Sequence, residues 1–245
     1  MDTGVNMPED QIETPSTASD LDRRRWRDQF LVTAAVGVFV PLISGFTWYM
    51  WRDTPAYAVA PQFLSSAASS AAIIAVAWFV IRHSGEPASA FGIQRPIWGL
   101  DIAICVGALI CGWMIQYTYA LAAYSIAPSW AAGVSYDFQY PETAAENLIV
   151  SVAMVLNGLA EEIVLWAVLF TRLERLMSRT VVPVIVVAAM FASYHIYQGV
   201  SAVLSIFLLG LVHGTIFATG RRLLPLVAAH VIWDLWLMVI MPPAA

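Results

Sequence analysis

Two adjacent glutamates, Glu161 and Glu162, lie near the middle of an apolar run that extends from Gly158 to Phe170. A charged side chain at the centre of a bilayer costs at least ~2.5–3.5 kcal/mol on insertion scales, so packing alone is a poor explanation for two of them side by side. A carboxylate held in such a place can act as a general base. The pair therefore predicts proton-transfer chemistry inside a membrane.

Two later apolar segments carry polar side chains at helical spacing. Phe191 and His195 are four residues apart, and so are His230 and Asp234, so each pair lies on one face of a helix. Asn157 precedes the first glutamate by four residues and shares its face. Because polar groups in a bilayer turn toward the bundle interior and one another, we expect all of these side chains to meet in one cavity.

Interhelical hydrogen bonding and metal binding are the other physical interpretations of this set. Hydrogen-bonded pairs between membrane helices contribute only ~0.6 kcal/mol each. Two carboxylates and two imidazoles in one cavity are better explained as a set of groups that transfer protons. Zn²⁺ accepts nitrogen and oxygen ligands, and the candidate ligands would be Glu161, His195, His230 and Asp234. The chain has no local His-Glu-x-x-His motif, so we predict no cofactor and no metal, with Zn²⁺ as the lesser alternative.

The elements that position these residues must be membrane helices. The chain has 245 residues, of which 60% are hydrophobic and 12% charged, and its mean hydropathy is +0.71. This composition predicts an all-α, polytopic membrane protein. Apolar runs near the ~20 residues of a bilayer crossing give about seven spans, with the catalytic-type residues on the fourth, fifth and seventh: 30–51, 62–81, 98–124, 147–173, 181–197, 201–219 and 223–241.

The remaining sequence predicts the organisation around this core. Residues 1–29 are expected to form a disordered cytoplasmic tail, and residues 30–245 a single transmembrane domain. With the N-terminus inside, eleven of the twelve arginines fall in inner segments and only Arg52 in an outer one, which predicts an inner-membrane protein whose C-terminus lies outside. The aromatic-rich segment 125–146 suits the membrane surface, and the two cysteines, Cys105 and Cys111, are expected to be reduced.

The polar residues also match a known pattern. The motifs EExxxR, FxxxH and HxxxN correspond, in order and spacing, to Glu161–Trp166, Phe191–His195 and His230–Asp234. Residues 145–241 thus resemble the CPBP family of CAAX proteases and bacteriocin-processing enzymes, also called the abortive-infection family, which is related to the type II CAAX prenyl endopeptidases. Residues 1–140 carry no motif and are similar to the family only in being hydrophobic.

This resemblance implies an intramembrane endopeptidase of the glutamic type. Glu161 would activate water with the help of His195, Glu162 would support the site, and His230 with the residue at 234 would stabilise the oxyanion of the tetrahedral intermediate. The implied partners are the lipid bilayer and a peptide or membrane-protein substrate, lipidated or not. No metal is needed, and no nucleic acid is expected.

Two residues depart from the family pattern. Trp166 occupies the place of the motif arginine, so Glu162 needs another partner, for which His213 is a candidate. Asp234 replaces asparagine, and an ionised aspartate cannot donate a hydrogen bond to an oxyanion. These departures keep two alternatives open. One is a non-catalytic protein of the same fold, acting in immunity or partner binding; the other is a metal-dependent protease or a proton-coupled transporter, although no inverted repeat favours transport.

Overall fold

The computed structural model describes residues 16–50, 59–131, 140–177 and 179–240 of the chain. Within these residues the protein is helical and contains no strand. Its seven main helices are α1 (Ser16–Ala34, a π-helical turn over Ala35–Phe39, then Val40–Met50), α2 (Val59–His83), α3 (Trp98–Ile126), α4 (Ala144–Met177), α5 (Val181–Ser193), α6 (Val200–Gly220) and α7 (Leu224–Ile240). Shorter helical turns cover Ala88–Phe91, Pro128–Ala131 and Ile196–Gln198.

Five of these helices are long and apolar enough to cross a membrane: α1, α2, α3, α4 and α6. This confirms the prediction of a polytopic helical membrane protein. Helices α5 and α7 are apolar but shorter, and the 13 residues of α5 extend only about 20 Å at ~1.5 Å per residue. The count of seven spans therefore stays a prediction.

The first helix begins earlier than the sequence predicts. It is helical from Ser16, so the second half of the expected disordered tail is ordered, while residues 1–15 lie outside the described part. Its polar half is attached to the bundle at two points. Arg25 donates a hydrogen bond to the backbone oxygen of His83, and the Arg175 guanidinium lies 5.4 Å from the centre of the Trp26 ring. Residues 132–139, part of the segment 125–146 that was expected at the membrane surface, also lie outside the described residues.

Helix α4 forms the centre of the bundle, and its middle is π-helical. An α-helix over Ala144–Glu162 is followed directly by a π-helix over Ile163–Phe170, every residue of which is buried. A capping box between Thr143 and Glu146 fixes the start of α4, as expected for a Thr-x-x-Glu sequence. π-Helical turns inside α-helices occur frequently at functional sites, and this one starts immediately after the glutamate pair.

An ion pair joins α3 to the loop before α7. Asp101, near the start of α3, is only 4% exposed. Its carboxylate accepts hydrogen bonds from Arg222, including one of 2.9 Å from Nη2, and from the backbone N–H of Ile97. Burying a carboxylate is costly unless it is paired, and Arg222 supplies that pair.

Candidate active site

Glycines allow the helices that carry the polar residues to approach closely. A Cβ atom at Gly158 of α4 would lie 2.9 Å from Cγ2 and 3.3 Å from the backbone nitrogen of Val231 in α7. Small residues at helix interfaces let membrane helices approach in this way. Since Val231 directly follows His230, this contact brings the histidine to the level of the glutamate pair one turn after Gly158.

The His230 imidazole lies between the two glutamates. Its Nδ1 is 2.8 Å from Glu162 Oε1, and its Nε2 is 3.3 Å from Glu161 Oε2. Asp234 Oδ2 lies 3.7 Å from the same Nε2. Because a carboxylate oxygen only accepts, Nδ1 donates to Glu162, and Nε2 is the nitrogen directed toward Glu161 and Asp234. The structure thus brings the first and third sequence motifs together around one ring.

A second histidine holds the buried glutamate. His213 Nδ1 lies 2.9 Å from Glu162 Oε1, so one carboxylate oxygen accepts from two imidazoles. His213 comes from α6 and was the candidate replacement for the missing motif arginine. The other oxygen, Glu162 Oε2, is buried and has no hydrogen-bond partner among the described residues.

Trp166 fills the space where the family pattern has arginine. It is 1% exposed, and a Cβ at Gly214 would lie 2.7 Å from its Cζ3 atom. The indole therefore packs on α6 at the residue next to His213, in a place that a larger side chain at 214 would block. The π-helical geometry also means that Trp166 does not lie one α-helical turn above Glu162, as the sequence spacing suggests.

The cluster has a buried side and a more accessible side. The Glu162 side chain is 2% exposed and that of His230 is 10% exposed, whereas Glu161 and Asp234 reach 14% and 18%. Asn157 Nδ2 donates to Asp234 Oδ2 at 3.4 Å, so Asp234 serves as an acceptor here. A substrate would meet Glu161 and Asp234 first.

The second motif lies at the end of α5. The sequence predicts that His195 lies on a helical face. The helix instead ends at Ser193, and His195 lies in the turn that follows. Its Nδ1 is 2.9 Å from the backbone oxygen of Phe191. Because a carbonyl oxygen only accepts, Nδ1 carries the hydrogen and the neutral ring offers Nε2 as an acceptor. The Phe191 ring contacts both imidazoles, with centroid distances of 5.0 Å to His195 and 6.0 Å to His230.

Tyr194 also belongs to the site, although no sequence motif indicates it. This residue precedes the motif histidine, is 5% exposed, and its ring centroid lies 4.7 Å from that of His195. Its hydroxyl lies beside the Glu161 carboxylate. A tyrosine next to an FxxxH motif resembles ordinary packing in the sequence, and only the tertiary contact distinguishes it.

One group of ligand-type atoms in the site could hold a metal ion. It consists of Glu162, His213 and His230, whose candidate ligand atoms lie within 4.8 Å of one another. This set differs from the one that the sequence suggests, because it includes the buried glutamate and His213 in place of Glu161, His195 and Asp234.

Replacing Gly158 by alanine is expected to lower the free energy of unfolding by about 1–3 kcal/mol, since the added methyl group overpacks the contact with Val231. The displacement of α7 should also move His230 and reduce any activity of the site. Thermal unfolding of the purified protein in detergent measures the first effect. Gly107→Ala is the matched control, because nothing lies within 4 Å of a Cβ there. Equal melting temperatures for the two variants would contradict the proposed close approach.

One family model covers the segment that carries the polar cluster. Residues 143–236 match the family model described as type II CAAX prenyl endopeptidase Rce1-like. The matched segment starts at the cap of α4, ends within α7, and contains every polar residue of the cluster. No curated protein and no solved structure matches the chain. Rce1-like proteins are a protease family, and residues 143–236 of this multi-pass membrane protein are similar to it.

Proposed function

We propose that the chain is an intramembrane endopeptidase in which Glu161 activates a water molecule for attack on a peptide bond. The observation that carries the proposal is the position of Glu161, a partly accessible carboxylate 3.3 Å from His230 inside a buried polar cluster. A general base must reach the proton that it removes, and a carboxylate that is partly buried but still accessible to water meets this requirement.

The remaining residues support a complete hydrolysis step. Glu161 takes a proton from water as the water oxygen attacks the carbonyl carbon, and His195 offers its free Nε2 to orient the same water. Glu162 holds the His230 ring through Nδ1, so that Nε2 faces the reacting centre. When the carbon–nitrogen bond breaks, protonated Glu161 returns the proton to the leaving amine. Water is consumed, and a carboxylic acid and an amine are formed.

The two departures from the family pattern are compatible with this role. His213 donates a hydrogen bond to Glu162, as the motif arginine would. Asp234 accepts from Asn157, and in this mechanism it faces the leaving group or the substrate N–H and not the oxyanion. We infer that the protein lies in the inner membrane. Its substrate, a peptide or a membrane protein, would reach the site from the side of Glu161 and Asp234.

The test is peptide cleavage by the purified protein in detergent. A library of quenched fluorescent peptides, with and without a prenyl group near the C-terminus, is incubated with the protein in the presence and absence of a chelator. We expect at least one peptide to be cut at the same rate in both conditions. If neither lipidated nor unlipidated peptides are cut, in detergent or in reconstituted vesicles, the proposal fails and a non-catalytic role is favoured.

A metal-dependent protease is the second candidate, and the compact group of Glu162, His213 and His230 favours it. In that case cleavage would stop with chelator and return with Zn²⁺. His213→Ala would weaken Zn²⁺ binding measured by calorimetry, whereas Glu161→Gln would leave it unchanged.

A further inference from the structure

Four donors close to the site already face acceptors. The Nδ1 atoms of His213 and His230 both face Glu162 Oε1, and His195 Nδ1 faces the backbone oxygen of Phe191. The amide of Asn157 is directed at Asp234. The proposed hydrolysis needs donors for the oxyanion. The family pattern offers His230 and the residue at 234 for this role, and Asp234 is an acceptor here.

The Tyr194 hydroxyl differs from all of these. It is buried and makes no hydrogen bond of normal length and angle to a described residue, and its neighbour is the Glu161 carboxylate. Glu162 Oε2 is likewise buried and without a hydrogen bond among the described residues. Buried polar groups are nearly always paired, so an unpaired one calls for a missing partner or a catalytic role. The Tyr194 hydroxyl and Glu162 Oε2 therefore indicate a place for a polar ligand, and the hydroxyl is the one of the two that can donate.

The backbone holds this hydroxyl in place. Tyr194 follows the last residue of α5, and its backbone oxygen packs against Gly45 of α1. Its ring is fixed between Phe191, with a centroid distance of 5.9 Å, and His195. The hydroxyl therefore lies beside the Glu161 carboxylate without a side-chain rotation, and a donor that is already oriented stabilises a developing charge most effectively.

We propose that Tyr194 is the catalytic donor that stabilises the oxyanion, in the place that Asp234 cannot fill. This inference rests on the proposed endopeptidase function. As the carbonyl carbon becomes tetrahedral, its oxygen gains a negative charge and accepts the hydrogen bond from Tyr194 while Glu161 holds the proton taken from water. The phenol keeps its proton throughout the step.

The experiment compares wild type with Tyr194→Phe on the best-cut peptide and on a phosphinate analogue of that peptide, whose P–O⁻ group imitates the tetrahedral oxyanion. Loss of one oxyanion donor lowers kcat by about 10²-fold or more. We expect that loss with KM unchanged, together with a similar weakening of phosphinate inhibition. Tyr119→Phe, which removes a half-buried hydroxyl that bonds Ser201, is the matched control and should keep wild-type activity.

The outcomes separate the two proposals. If wild type cleaves and Tyr194→Phe cleaves equally fast, the role of Tyr194 is refuted while the endopeptidase stands. If kcat falls but phosphinate inhibition is unchanged, Tyr194 orients Glu161 and is not the oxyanion donor, which also overturns the inference. If wild type cuts nothing, both proposals fall together. A melting temperature equal to that of wild type shows that Tyr194→Phe is folded.

Discussion

Glu161→Gln is expected to lower kcat/KM for peptide cleavage by about 10²- to 10⁴-fold, the usual contribution of a general base. Glutamine has the same shape but cannot accept a proton from water. It can still lie near His230, so the loss should appear in kcat and not in folding. Initial rates over a range of peptide concentrations, with the protein in detergent, give both parameters.

The matched control for this variant is Glu142→Gln. Glu142 is exposed and precedes the cap of α4. Its replacement by glutamine makes the same chemical change outside the cluster. We expect wild-type kinetics from it. Cleavage by Glu161→Gln at the wild-type rate would exclude Glu161 as the base, whatever the rate of the control.

Glu162→Ala is expected to destabilise the protein by about 3–5 kcal/mol, which is the typical loss when one member of a buried charged pair is removed. Glu162 Oε1 accepts from both His213 and His230, so truncation leaves two buried ring nitrogens without an acceptor. Denaturant or thermal unfolding in detergent measures the loss. Activity should disappear as well, because His230 is no longer held toward Glu161.

Two further variants identify the cause of that loss. Glu146→Ala removes a glutamate from the same helix, but only from the capping box at its start, and should cost about 0.3–1.5 kcal/mol. In a double-mutant cycle with His213→Ala, the losses for Glu162 and His213 should be strongly non-additive because the residues are in contact. Additive losses would show that the Glu162–His213 contact contributes nothing to stability.

The sequence is sufficient for the helical membrane fold and for most of the cluster. Long apolar runs predict the helices, and the cost of burying charge predicts that polar residues at helical spacing converge. Glu161, Glu162, His230 and Asp234 do converge, and the spacing of their motifs carries enough information to find them. His213 could be suggested because Trp166 leaves the glutamate without its usual partner.

Other features depend on tertiary contacts that spacing alone does not encode. The π-helix after Glu162 changes the direction in which the Trp166 side chain points. The i, i+4 spacing of Glu162 and Trp166 would place them on one face only in a regular α-helix. The end of α5 at Ser193 puts His195 in a turn, because the chain must reverse at Gly199 before α6. Asp101 is buried by Arg222, more than a hundred residues later, and no local pattern links the two.

The most direct test of Glu161 as the base that activates water is a single turnover in H₂¹⁸O, with enzyme in excess over peptide. Direct attack by water predicts one ¹⁸O atom in the new C-terminal carboxyl group of the product and none in the enzyme. Mass spectrometry of the product and of the enzyme fragment that contains Glu161 measures both. An ¹⁸O atom in Glu161, with an unlabelled product, would mean that the carboxylate attacks the substrate itself, and it would contradict the mechanism.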